Sequence, residues 1–230
     1  MSAWCELADH LTTSDNWWGR RGITTRIVDH VRNSVAATGV AAAVAIPAAL
    51  WLGHIRRGGA VATAAVNLGR AVPSFAIVAL ALPFSLRFGF GLGFWPTMVA
   101  LVALALPPIF TNTYAGVDDG SVDAARGMGM QGRQVLWRVE APVALPLLVT
   151  GLRISAVQVV ATATLGAFVG FGGLGAFIYE GFRQNDDGKL LTGAVLVAVL
   201  AIATELLFGV GQRLLTPWQP QTRTTRRATR

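Results

Sequence analysis

Residues that could do chemistry are few and scattered. The three histidines, His10, His30 and His54, lie far apart in the chain, with no constellation of carboxylates or thiols beside them. No zinc or other transition-metal site is expected from such a set. Cys5 is the single cysteine, which excludes an intrachain disulfide. No nucleophile and base are spaced to work together, so neither a catalytic residue nor a cofactor is expected. A phosphate loop would read Gly-x-x-x-x-Gly-Lys-[Ser/Thr]. The one Gly-Lys pair, Gly188-Lys189, is followed by Leu190 and lacks the upstream glycine. Any nucleotide hydrolysis must therefore occur in another chain. Gly170 to Gly175 fits Gly-x-Gly-x-x-Gly, but it follows a long apolar run where a dinucleotide fingerprint would follow a strand. Two readings of it remain: a helix C-terminus, or an unwound segment lining a path through protein.

The elements that hold these residues are set by where charge is missing. Of 230 residues, 53% are hydrophobic and 13% are charged. A soluble domain carries about 25% charged residues, so a soluble enzyme and a disordered chain are both excluded. The net charge of +7 comes from arginine, with Lys189 the one lysine. In so apolar a chain that balance points to an anionic membrane face and not to nucleic acid. A membrane span takes roughly 20 apolar residues, because the hydrocarbon core is about 30 Å thick. Uncharged or nearly uncharged stretches run over 34–55, 58–86, 88–117, 141–179 and 190–212, interrupted only by Arg70, Arg153 and Glu205. They predict five transmembrane helices in an all-α membrane protein. Unpaired backbone groups are too costly in lipid for anything but helix, and the apolar runs lack the alternation of a barrel.

Residues 1–32 are polar, with no apolar run of the signal-peptide kind, and form the first segment; 33–214 form the membrane domain; 215–230 form a basic tail. Trp17 and Trp18 before Arg20 and Arg21 fit an interfacial anchor, and equally a partly ordered surface stretch. With the N-terminus outside, the cytoplasmic segments hold ten arginines: Arg56 and Arg57, then Arg126, Arg133 and Arg138, then five from Arg213 to Arg230. The outer segments hold seven basic residues, four of them beside four acids. The positive-inside rule favours that orientation. By length, Arg153 and Glu205 fall at similar depth and are expected to pair, holding the fourth and fifth spans together; a proton or ion relay is the alternative.

Pro73-Ser74 can kink the second span, and Pro107-Pro108 the third, ahead of Thr111, Asn112, Thr113 and Tyr114. Such sites read either as helix-end geometry with interhelical bonds, or as a polar, flexible path lining. Phe75, Phe110, Tyr114 and Phe171 add aromatic rings at or near these sites and the glycine stretch.

The cytoplasmic stretch 118–142 is too long for a tight connection. Ser121 can cap a short helix, Ala124 and Ala125 permit close approach, and Gly127 and Gly129 permit a turn. This is either a docking knob for a soluble partner or a helix lying on the bilayer.

Asp123-Ala124-Ala125, Gly129 and Val139-Glu140-Ala141-Pro142 resemble the EAA signature of permease subunits of ATP-binding-cassette importers: Glu-Ala-Ala, three residues, Gly, nine residues, Ile-x-Leu-Pro. The spacing matches throughout; Asp123, Val139 and Ala141 replace Glu, Ile and Leu. Arg70 to Ser74, Pro107 to Tyr114 and Gly170 to Gly175 are similar to the osmoprotectant branch, the permeases for glycine betaine, choline and carnitine. The resemblance implies a type I importer permease fold in the plasma membrane, with a cytoplasmic coupling helix built on Asp123, Ala124, Ala125 and Gly129. It implies three kinds of protein partner: ATPase subunits, an extracytoplasmic solute-binding protein, and a second permease subunit, identical or different. Pro73, Ser74, Asn112, Tyr114, Gly172 and Gly173 are expected along the path. A permease for another small solute such as an amino acid, or a stand-alone secondary transporter or channel, is the alternative; the latter would show inverted repeats, and none is visible.

Overall fold

The computed structural model describes residues 3–56, 58–69, 71–117 and 119–215. The expected basic tail, apart from Leu215, and the intramembrane Arg70 lie outside them. Among the described residues the chain is helical, without strands. After α1 (Ala3–Thr12) come α2 (Ile23–Ile55), α3 (Gly59–Gly69), α4 (Ser74–Arg87), α5 (Phe94–Ala115) and α6 (Asp119–Gly127). A short α7 (Gly132–Val135) continues through one π-helical turn into α8 (Ala141–Thr162), followed by a 3-10 segment (Ala163–Val169), α9 (Gly175–Gln184) and α10 (Asp187–Leu215).

Four helical stretches are long and apolar enough to cross a bilayer: α2, α5, the run from α7 through the 3-10 segment, and α10. The pair α3 and α4, which meet at 84°, is apolar enough to make a fifth when the two are taken as one broken span. Pro73 is the N-cap of α4, and its ring cannot supply a helical N–H, so the break falls where the sequence placed a kink. Pro47, Pro83, Pro107, Pro108 and Pro146, by contrast, sit inside helices.

Small residues let the spans approach. Ala37, Ala41, Ala45 and Ala49 recur every fourth residue on one face of α2 and are completely buried. They pack against Met98, Leu101, Ala105, Ile109 and Phe110 of α5 and Val159 of α8. Lipid is as apolar as leucine, so close van der Waals packing and interhelical bonds supply the association. One such bond runs from Ser155 Oγ to the Ala105 carbonyl, 2.7 Å, both groups buried. Gly151 of α8 faces the Pro108 carbonyl and Asn112 of α5, leaving no room for a larger residue.

α2 begins at Ile23, within the polar stretch, and carries Arg26, Asp29, His30 and Arg32 above its apolar length. α1 packs on α10 rather than trailing from the bundle. The Trp17 indole donates to the Leu11 carbonyl at 2.7 Å and joins a cluster around Ile23, Leu174, Phe177 and Val197. Trp18 is 74% exposed, so the two adjacent tryptophans have different surroundings.

Candidate functional site

At one end of the bundle, residues 119–140 form a compact unit with its own apolar core of Val122, Ala125 and Val135, backed by Val117, Met130 and Val139. Ala125 faces inward, whereas Asp123, Ala124 and Met128 face outward, Met128 with 76% of its surface exposed. The two alanines of the signature therefore do different things: one packs the unit, the other is open to approach. Gly129 ends α6 with φ +82°, the left-handed conformation that favours glycine. Its neighbours close the helix through Met130 N–H to the Ala125 carbonyl, 3.2 Å, and Gly129 N–H to the Arg126 carbonyl, 2.9 Å.

Contacts among the described residues tie this unit to the end of α2. Arg56 Nη2 meets Asp123 Oδ1 at 3.1 Å. Arg126 Nη2 donates to the His54 carbonyl at 3.4 Å. His54 Nδ1 meets Glu140 Oε2 at 2.8 Å, with the Glu140 side chain wholly buried. Glu140 Oε1 has no hydrogen-bond partner among the described residues. A buried carboxylate is costly unless paired, so His54 is what makes Glu140 tolerable there. Nothing in the sequence paired His54 with Glu140: they are 86 residues apart, and only the fold joins them.

The expected path residues do not converge on one point. Asn112 and Tyr114 sit near the same end as α6. Asn112 Nδ2 donates to the Pro108 carbonyl of its own helix at 2.8 Å. Tyr114 stacks on Phe110 with ring planes 2° apart, and its hydroxyl lies against Gly59, where any side chain would collide. A cavity of about 290 Å³ there is lined by Gly53, Arg56, Tyr114, Ala115 and Val117.

Gly172 and Gly173 lie at the opposite end, in the turn between the 3-10 segment and α9, with φ +83° and +64°. Gly173 faces His30: an added Cβ would stand 2.9 Å from Nδ1. His30 is buried and bridges three segments. Its Nδ1 accepts from Leu174 N–H at 3.3 Å while Nε2 donates to the Val160 carbonyl at 2.9 Å. Those partners require the neutral ring protonated on Nε2. Beside it, Glu180 takes both Arg26 (3.3 Å) and Lys189 (2.7 Å). Pro73 and Ser74 belong to this end as well, because the neighbouring Phe75 ring meets Phe168 of the 3-10 segment.

Arg153 of α8 and Glu205 of α10 form an ion pair. Arg153 Nη1 also donates to Gln212 Oε1 at 3.3 Å, and Gln212 Nε2 donates to Thr150 Oγ1 at 3.0 Å. Gly209 leaves space for the guanidinium. Among the described residues no group of three or more His, Cys, Asp or Glu side chains is arranged for a metal ion.

Residues 43–219 match the family described as binding-protein-dependent transport system inner membrane component. The carnitine transport permease protein OpuCB of Listeria monocytogenes is 36% identical over 191 residues, 82% of this chain and 85% of that protein. The glycine betaine/carnitine/choline transport system permease protein OpuCB of Bacillus subtilis is 33% identical over 192 residues, 82% of this chain and 86% of that one. The osmoprotectant import permease protein OsmW of Salmonella typhimurium is 35% identical over 156 residues, 66% of this chain and 73% of that protein. Among solved structures, an inward-facing MetNI methionine ABC transporter aligns with a TM-score of 0.67 at 25% identity, over 83% of this chain and 96% of that one.

Proposed function

The chain belongs to the family of binding-protein-dependent transport system inner membrane components, and from that membership we propose that it carries an osmoprotectant quaternary amine, such as glycine betaine, carnitine or choline, as the permease subunit of an ATP-driven importer in the plasma membrane. One observation carries the substrate class: relatives named for those solutes are 33% to 36% identical over 82% of the chain.

In this reading ATP is hydrolysed by a separate subunit docked at the α6 end, which faces the cytoplasm. A solute-binding protein delivers substrate at the opposite face, and a second permease subunit, identical or not, completes the path. The work of this chain is mechanical. The exposed Ala124 and Met128 give an ATPase surface something to seat on, and Arg56–Asp123, Arg126–His54 and His54–Glu140 make α6 and the end of α2 one piece. Closure of the ATPase pair then moves α2 with α6. The alanine-packed seam of α2, α5 and α8 is where the bundle would slide between its two packings. Asn112 and Tyr114 line the inner part of the path, Pro73, Ser74, Gly172 and Gly173 the outer part, and Arg153 with Glu205 keeps α8 and α10 together.

Purification in mild detergent from the native host tests this reading, with identification of the associated chains. An ATPase subunit and an exported binding protein that takes up glycine betaine, carnitine or choline on titration are expected. A binding protein selective for an amino acid would refute the substrate class, and a chain that purifies alone would refute the importer.

A further inference from the structure

Aromatic side chains gather at three places in the molecule, and they differ in what their faces can do. Phe110 and Tyr114 stack on one another, and Phe110 is 3% exposed, so that face is spent on packing. Phe88, Phe90, Phe94 and Trp95 cluster at the turn into α5, as aromatics do at a bilayer interface, with Phe94 also meeting Phe171 of the glycine turn, and among the described residues no cation stands over their rings. The third group brings Phe75, in the first turn of α4, onto Phe168 of the 3-10 segment and Tyr179 of α9, two consecutive elements about 90 residues further along the chain. Phe75 and Phe168 meet edge-to-face with centroids 5.7 Å apart, and Phe168 and Tyr179 likewise at 5.1 Å. Phe75 and Phe168 remain 48% and 55% exposed. A cation is already present: the Arg183 guanidinium carbon stands 5.8 Å from the centroid of the Tyr179 ring.

We infer that Phe75, Phe168 and Tyr179 form an outer station for a quaternary ammonium group, with the Arg183 guanidinium as the resident cation that the substrate displaces. The inference rests on the substrate class proposed above. Each edge-to-face pair covers one ring face, so two pairs among three rings leave other faces uncovered, and ring faces carry the negative end of the aromatic quadrupole. A quaternary ammonium has no N–H to satisfy, so ring faces hold it without the hydrogen-bond partners that a primary amine would need. Location fits the task. The station abuts the 84° break in the second span and the glycine turn that ends in Gly173, the places where backbone leaves the regular helix. Such breaks at membrane depth are tolerated where they lie inside protein or beside a watery path, and broken spans build substrate sites in other carriers. A guanidinium resting on Tyr179 also shows that this ring face is open to a cation. Interfacial anchoring accounts for aromatics facing lipid; it does not account for a cation held over one ring of the group.

The test is radiolabelled choline binding to the permease–ATPase complex in nanodiscs, without binding protein. Saturable binding is expected. Phe168→Ala and Tyr179→Ala should weaken it about tenfold, Tyr179→Phe should retain it because the face is kept, and Arg183→Gln should strengthen it by removing the competitor. ATPase activity and size-exclusion profile of each variant check that it is folded and assembled. Absence of saturable choline binding, or binding indifferent to both ring truncations, would overturn the station; so would weakened binding in Arg183→Gln. Binding-protein-dependent uptake of choline, carnitine and glycine betaine by the wild-type complex is measured alongside. Uptake without ring-dependent binding would sink the station alone, and a complex that imports no quaternary amine would sink the substrate class first.

Discussion

Glu140 is the residue at which a single change should speak most plainly. Its carboxylate is fully buried and answered by His54 alone among the described contacts. His54→Ala would leave that group without a partner, at a cost of about 1–3 kcal/mol. A lower melting temperature of the detergent-purified complex is expected, with much of it regained in the double variant His54→Ala, Glu140→Gln, whose neutral amide is cheaper to bury. Equal melting of the single and double variants would contradict this account of the pair. Arg153 and Glu205 invite the same logic. In lipid, an unpaired charge costs more than a missing pair. Arg153→Leu and Glu205→Leu should each lower the yield of folded protein more than the double replacement does, read by fluorescence-detected size exclusion. The sequence put both residues at similar depth by counting rise per residue, and the structure records their ion pair. The His54–Glu140 pair was not legible in that way. Glu140 falls at the variable position of the signature and His54 near the end of an apolar run, and nothing local to either names the other.

At the scale of elements, the spans were legible because lipid penalises charge so strongly that gaps between charges mark them. Where an element is not decided by lipid, the sequence said less. α2 extends back to Ile23 because its first turns lie against α9 and α10, where Arg26 is matched by Glu180. α1 has no apolar run of its own and is held through Leu7, Leu11 and Trp17. The second span reads as one uncharged stretch, yet it is two helices at a steep angle, since Pro73 stops a helix without saying which way the next one turns. The proposed coupling helix was legible through spacing, and Gly129 shows why the spacing needs glycine there. Gly129→Val would force a branched residue into φ +82°, at about 1–2 kcal/mol, and loosen the end of α6. Transport should fall while the complex still binds ATP. Met128→Asp and Ala124→Asp should leave the melting temperature unchanged, because both side chains are outward, and should reduce co-purification of the ATPase subunit. Full retention of that subunit in both variants would remove α6 as its docking surface.

The whole molecule is a bundle whose two ends have different equipment and whose middle is smooth. One end is a rigid unit clamped to α2; the other gathers the glycine turn, the neutral His30 bridge, the Glu180 ion cluster and the open aromatic group. Between them the α2–α5–α8 seam is alanine packed on larger apolar side chains, with no charged group in it, and the Arg153–Glu205 ion pair lies outside that seam, between α8 and α10. This division suits a part that transmits motion and carries solute while energy is released elsewhere. The task proposed for this chain is ATP-driven import of a quaternary amine. Uptake of radiolabelled glycine betaine and choline into proteoliposomes holding the complete complex tests it most directly, with binding protein outside and ATP or a non-hydrolysable analogue inside. Accumulation with ATP, none with the analogue, and loss of accumulation in Gly129→Val are predicted. Accumulation that persists without hydrolysis, or a working complex that moves neither solute, would contradict the account.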